Sequence, residues 1–234
     1  IILNDPQTGF PLALMDGTQI THYRTGAAGG VAAKYLAKPS SCVVALVGSG
    51  EQAITQLLAL ECVFKLKAVK VWAHKPVFVK QFLERVGPKD FDISGVSSLK
   101  DCVKEADIVV TTTPSQKPLV KLRWLTSTAH INAISADAKG KQELESAVLK
   151  KAKIVVDDWD QASHSGDINV AVRQKIISQK NIYAQIAEIM NNTKKARKAQ
   201  EGLTVFDSTG LAIQDAALAY RVFKKEQKSK VGRS

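Results

Sequence analysis

Hydrophobic positions along the chain fall into short runs separated by longer stretches of mixed character. Val43–Val47, Val69–Trp72, Ile108–Thr111, Ala129–Ile134 and Ile154–Asp157 are such runs, each of a length that suits one buried strand. Between them, Gln52–Lys65, Pro76–Val86, Ser97–Glu105 and Glu143–Lys151 read as helices. Buried strands alternating with helices predict βαβ units and a parallel sheet. Right-handed crossovers then make a doubly wound, Rossmann-type α/β sheet the expected fold. The ends differ from this pattern. Ile1–Leu3 and Phe10–Met15 read as two strands around the turn Asn4–Gly9, and Thr18–Ala37 as an Ala-rich helix with Thr21 at its N-cap. Near the C-terminus a helix is expected over Ala184–Met190, a strand over Leu203–Phe206 and a last helix over Leu211–Lys225.

The run Val43–Val47 leads straight into Gly48-Ser49-Gly50-Glu51-Gln52-Ala53, and a helix follows. This is the G-x-G-x-x-G/A pattern in the strand–turn–helix setting of a dinucleotide pyrophosphate site. Gly48 permits the tight turn, Gly50 leaves the backbone open to phosphate, and Ala53 lets the helix lie close to its strand. The helix N-terminus then faces the anion. An NAD site places an acid about 20 residues further on, at the ribose 2′-hydroxyl. Here Val69–Trp72 ends in Ala73-His74-Lys75-Pro76. His74 and Lys75 suit a 2′-phosphate, so NAD(P)(H) is expected with NADP(H) slightly favoured. The alternative is that both are solvated loop residues.

Composition excludes several classes. With 45% hydrophobic and 24% charged residues, 234 residues fit one large or two small globular domains, not a disordered or collagen-like chain. No apolar run approaches the ~20 residues of a membrane span, and no signal peptide is legible. Cys42, Cys62 and Cys102 are odd in number and far apart, which suits a cytoplasmic setting and small buried positions. The net charge of +11 includes a basic tail, Arg221, Lys224, Lys225, Lys228, Lys230 and Arg233 against Glu226. Neither this tail nor the cluster Lys194, Lys195, Arg197, Lys198 is interleaved with aromatics, so no nucleic-acid partner is expected. His22, His74, His130 and His164 lack ligand spacing, and no metal is expected. The chain opens inside a strand pattern at Ile1, so an N-terminal segment is expected to be missing.

Several strings carry a wider resemblance: Met15-Asp16-Gly17, Ile20–Ala28 (ITHYRTGAA), the glycine loop, Thr112-Thr113-Pro114-Ser115, Asn132–Leu144 (NAISADAKGKQEL) and Phe206–Asp215 (FDSTGLAIQD). Together they make the chain similar to the ornithine cyclodeaminase/μ-crystallin family. Val155–Ala162 (VVDDWDQA) and His164–Asn169 (HSGDIN) resemble its archaeal-type alanine dehydrogenase branch. The resemblance implies a dimeric, two-domain enzyme that oxidises the Cα–N bond of an amino acid, or reduces the imine. On that pattern 26–210 form the Rossmann domain, while 1–25 and 211–234 are a remnant of a smaller α+β substrate and dimerisation domain. The chain departs from the pattern at Ser135, usually Gly, and at Ala73, often Asp.

The resemblance also implies roles. Arg24 would bind the substrate carboxylate, as a guanidinium can do bidentately; the competing reading is a surface ion pair. Asp137 would be the general acid/base on the substrate amine and on the water that attacks the imine; the competing reading is a helix N-cap. Lys141 would help position substrate or would simply be solvated. Thr25 would hydrogen-bond a cofactor phosphate. Thr112, Thr113 and Pro114, which follow the run Ile108–Thr111, would line the cofactor crevice, or Pro114 would simply end that strand. Ser208, Thr209 and Gly210 would border the nicotinamide, or would form a capping motif only. The expected reaction is reversible oxidative deamination of L-alanine to pyruvate and ammonia. Ornithine cyclodeamination, cyclic ketimine reduction and ligand binding without turnover are the alternatives.

Overall fold

The computed structural model describes residues 1–134, 138–197 and 202–229. An antiparallel hairpin of β1 (Ile2–Asn4) and β2 (Pro11–Leu14) leads into α1 (Gly17–Leu36). Next come β3 (Val43–Val47), α2 (Glu51–Glu61), β4 (Ala68–Trp72), α3 (Pro76–Val86), β5 (Asp92–Gly95), α4 (Leu99–Val103) and β6 (Ile108–Thr111). The chain continues through β7 (His130–Ala133), α5 (Ser146–Lys151), β8 (Lys153–Val156), α6 (Trp159–Ser165), α7 (Asn169–Arg173), β9 (Ile182–Gln185), α8 (Ile186–Met190) and β10 (Thr204–Asp207). The helix α9 (Ala212–Ser229) closes it. Among the described residues, no helix is long and apolar enough to cross a membrane.

Eight strands form one parallel sheet in the order β5-β4-β3-β6-β7-β10-β8-β9. The doubly wound reading therefore holds. Side chains alternate across β3: Val44 and Leu46 join the core layer of Leu57, Leu60 and Phe82, whereas Ala45 and Val47 join that of Ile131, Leu149 and Ile154. The strand order turns around between β3 and β6. Loops leaving their carboxyl ends diverge there and open a crevice, where ligands bind in such sheets.

Several local expectations need correction. Asp16, not Thr21, caps α1: its Oδ1 accepts from Thr18 N at 2.8 Å. Thr21 Oγ1 instead donates to Asp215 Oδ1 at 2.9 Å, a partner nearly the whole chain away. The helix expected from Glu143 begins only at Ser146, because the Glu143 and Leu144 N–H groups are drawn to the Asp167 carboxylate. Two edge strands, β5 and β9, were not expected. Asp92–Gly95 is largely exposed and too polar to read as a strand. Residues Ala184 and Gln185, expected in a helix, extend β9 alongside β8.

The crossing of α1 and α2 is close because glycines lie in it. A Cβ on Gly26 would stand 2.5 Å from the carbonyl oxygen of Thr55. Gln56 Nε2 donates to Thr25 O at 2.9 Å, which ties the two helices just below the crevice. The buried imidazole of His130 lies between Thr204 Oγ1 (2.9 Å) and Asn132 Oδ1 (2.8 Å). Burial pushes its pKa down to about 3, so the ring is neutral.

Candidate functional site

The glycine loop sits where β3 ends. Gly48 adopts φ +117°, and a Cβ there would stand 2.5 Å from Thr112 Oγ1, so this position requires glycine for both conformation and space. Gly50 is the N-cap of α2 in extended conformation, with no side-chain cap among the described residues. A Cβ on Gly50 would meet nothing within 4 Å. The first N–H groups of α2 therefore face open space, which suits an anion. Ala53 is fully buried beneath them. A cavity of about 840 Å³ runs from Gly48, Ser49, Gly50 and Glu51 to His74 past the end of β4, and is walled on the other side by Thr112, Thr113 and Pro114. Uncapped N–H groups, two glycines and a cavity of this size fit a dinucleotide.

His74 lines this cavity with its ring 5.2 Å from that of Phe78. Lys75 is not part of the lining; its Nζ stands 5.9 Å from the Phe78 ring centroid. Sequence reasoning passed over Arg85, which reaches the same mouth from α3 and pairs with Glu51. No local spacing signals that contact, since 34 residues separate the two.

A second cavity of about 260 Å³ adjoins the first through Thr112, Thr113 and Pro114. It gathers Arg24 and Thr25 from α1, Gln52 from α2, Lys141 from the loop after β7, and Ser208, Thr209 and Gly210 from the loop after β10. Arg24 is both an ion-pair member and a cavity wall. Its Nε lies 3.2 Å from Asp215 Oδ1, and its Nη1 donates to Gln214 Oε1 at 3.1 Å. Asp137 lies outside the described residues, as does Ser135.

A profile of the ornithine cyclodeaminase/mu-crystallin family matches residues 1–230. The chain belongs to that family. It is 48% identical over 232 residues to the alanine dehydrogenase of Archaeoglobus fulgidus, covering 99% of this chain and 71% of that protein. Among solved structures it resembles an archaeal alanine dehydrogenase dimer with bound NAD, at 47% identity and a TM-score of 0.95, covering 99% of this chain and 72% of that one. It also resembles the Thermococcus litoralis Δ1-pyrroline-2-carboxylate reductase in complex with NADH and L-proline, at 38% identity and a TM-score of 0.96, covering 100% of this chain and 73% of that one.

In this family member the loops around both cavities are cross-tied by buried carboxylates that sequence reasoning did not single out. Asp157, at the end of β8, accepts from Thr209 N and Gly210 N, each at 2.7 Å. Asp207, at the end of β10, returns the tie by accepting from Asp167 N (3.0 Å) and Ile168 N (3.1 Å). Asp167 accepts from Glu143 N and Leu144 N. Glu143 Oε1 accepts from Thr113 N (2.7 Å) and Thr113 Oγ1 (2.6 Å). The chain of ties thus runs from Thr113 to Gly210, two walls of the smaller cavity. Among the described residues, no group of three or more His, Cys, Asp or Glu is placed to hold a metal ion.

Burial, with Asp157 and Glu143 nearby, pushes the Asp207 pKa up to about 7, although two backbone N–H groups oppose it. Burial and the neighbouring Asp207 and Glu143 hold Asp167 well above the usual range. An unfolded Asp ionises near 3.9. Asp207 releases its proton as pH rises through about 7, whereas the unfolded chain has released it by about pH 5, so stability falls with rising pH until Asp207 is ionised and then levels off, with a slope of up to about 1.4 kcal/mol per unit. His130 acts in the opposite sense, but only below about pH 6.5. The expected result is a lower urea midpoint at pH 8 than at pH 6.5, with Asp207→Asn reducing the difference. A midpoint that stays constant across this window would refute it.

Proposed function

We propose that this chain, an NAD-dependent oxidoreductase of its family, catalyses the reversible oxidative deamination of a small L-amino acid, alanine foremost. The products are the 2-oxo acid, ammonia and the reduced cofactor, with water consumed. One observation carries the reading: a glycine-loop cavity fit for a dinucleotide opens directly into a small cavity walled by Arg24 and Lys141. The 48% identity to an alanine dehydrogenase supports the substrate.

Gly48, Ser49, Gly50 and the first turn of α2 would hold the pyrophosphate, with Thr112, Thr113, Pro114 and Ser208–Gly210 along the crevice. A nicotinamide bound there supplies the hydride acceptor or donor. The protein supplies orientation. Arg24 would take the substrate carboxylate, its side chain already held by Asp215 and Gln214. Lys141 would add positive charge at the same carboxylate. Asp137 would take the proton from the substrate ammonium and later activate the attacking water. Its assignment rests on the family motif. Residues 26–210 would form the dinucleotide-binding unit, and 1–25 with 211–234 part of a substrate and dimerisation unit. Exposed Ile2, Phe10, Leu14, Ile213 and Tyr220 on the hairpin and α9 support a homodimer there.

The finer cofactor reading is a slight preference for NADP(H), supported by His74 in the lining and by the absence of an acid directly after β4. Two measurements test both levels. Fluorescence titration should give saturable binding of both cofactors, tighter for NADPH; tighter NADH binding overturns the preference. Oxidation of the reduced cofactor by pyruvate with ammonia should exceed that by Δ1-pyrroline-2-carboxylate. The reverse order would favour cyclic-imine reduction, the second reading, for which the 38% identity to a pyrroline-carboxylate reductase speaks.

A further inference from the structure

The loop Ser208–Gly210 has no regular structure of its own, yet almost every polar group it offers ends on one carboxylate. Asp157 is only 3% exposed. Its Oδ2 accepts from Ser208 Oγ (3.1 Å), Thr209 N and Gly210 N (both 2.7 Å). Its Oδ1 accepts from Thr209 Oγ1 (3.1 Å) and from the neighbouring Asp158 N (2.8 Å). Four donors from the loop on one buried carboxylate define the loop's position closely.

The position matters because of what lies on the loop's other side. Gly210 adopts φ +81°, and a Cβ there would collide with both terminal nitrogens of the Arg24 guanidinium. The glycine backbone thus backs directly onto that group. Asp215 and Gln214 hold Arg24 from the start of α9. The guanidinium is therefore seated between a loop fixed by Asp157 and a helix fixed through its own ion pair, and it faces the 260 Å³ cavity.

We propose that Asp157 is a positioning residue: by fixing Ser208–Gly210 it sets the wall against which Arg24 is aimed at the substrate carboxylate. This rests on the reading of Arg24 given under the proposed function. Asp157→Asn keeps the size of the side chain but turns one oxygen into an N–H donor, which faces either the Thr209 and Gly210 N–H groups or the Asp158 N–H. The loop then cannot keep its present set of bonds.

The experiment uses the full chain and pyruvate as the probe. Pyruvate affinity is measured by calorimetry on the NADH-saturated protein, alongside NADH affinity and thermal unfolding. In the Asp157→Asn variant, pyruvate should bind the NADH-saturated protein about tenfold more weakly, a larger loss than that in NADH affinity, since the loop also borders the cofactor crevice. Arg24→Met should weaken pyruvate at least as much, and adding Asp157→Asn to it should weaken pyruvate little further, because both act through one group. If Asp157→Asn lowers only the melting temperature, or if the two losses add, Asp157 is structural and the proposal falls. If Arg24→Met binds pyruvate as the parent does, the carboxylate reading of Arg24 fails first and takes the proposal with it. Should Asp157→Asn not fold, Asp157→Glu, which keeps the charge but moves the carboxylate, takes its place and must weaken pyruvate binding more than NADH binding; normal pyruvate binding by that variant overturns the proposal.

Discussion

Gly50→Val should abolish dinucleotide binding while leaving the fold untouched. In the free protein a Cβ at Gly50 meets nothing within 4 Å, and φ is −84° with ψ −171°, a conformation valine adopts readily. The cost to stability is limited to a poorer N-cap, within about 1 kcal/mol. The space it fills is where the first N–H groups of α2 would meet a phosphate. Two methyl groups there should lower NADH affinity at least about 100-fold, or ~3 kcal/mol, judged by fluorescence titration beside a thermal melt. Near-normal affinity would mean that the loop is only a turn. Gly48→Val makes the contrast, because its side chain would press on Thr112 in the free protein and so lower stability itself.

Gly26→Val should be the most damaging change away from the crevice. Its Cβ would fall 2.5 Å from Thr55 O and 2.7 Å from Thr55 C, which are backbone atoms that cannot swing aside. Overpacking of this kind costs about 3 kcal/mol, more than valine regains over glycine in helix propensity. For a chain of this size that is a fall in melting temperature of roughly 6–12 °C. The displaced helix also carries Arg24 and Thr25, so pyruvate binding should weaken in whatever fraction stays folded. A melting temperature within about 2 °C of the parent would show that α1 and α2 can separate at little cost.

Legibility from the sequence followed the range of the interaction. Pro76–Val86 was readable to the residue because proline at its start and glycine after its end are local marks. The end of α5 at Lys151 was readable but its start was not, because Asp167 withdraws two N–H groups from the expected first turn. Thr21 looked like a cap because its true partner, Asp215, lies 194 residues away. Asp157 stood in plain view inside the family-like string Val155–Ala162, yet nothing in that string shows which loop it would hold.

Local pattern alone carried the doubly wound sheet, the glycine-rich turn after β3 and the family. Strand hydrophobicity, glycine spacing and motif identity are properties of neighbouring residues, and the chain states them directly. Tertiary structure decided the rest. Insertion of β10 between β7 and β8 brings Lys141 and Ser208–Gly210 around the Arg24 cavity, with Asp157 bound to the loop. The buried carboxylates then tie those loops across separations of 23 to 53 residues. Such ties depend on which strands lie side by side, and strand order emerges only when the whole sheet packs.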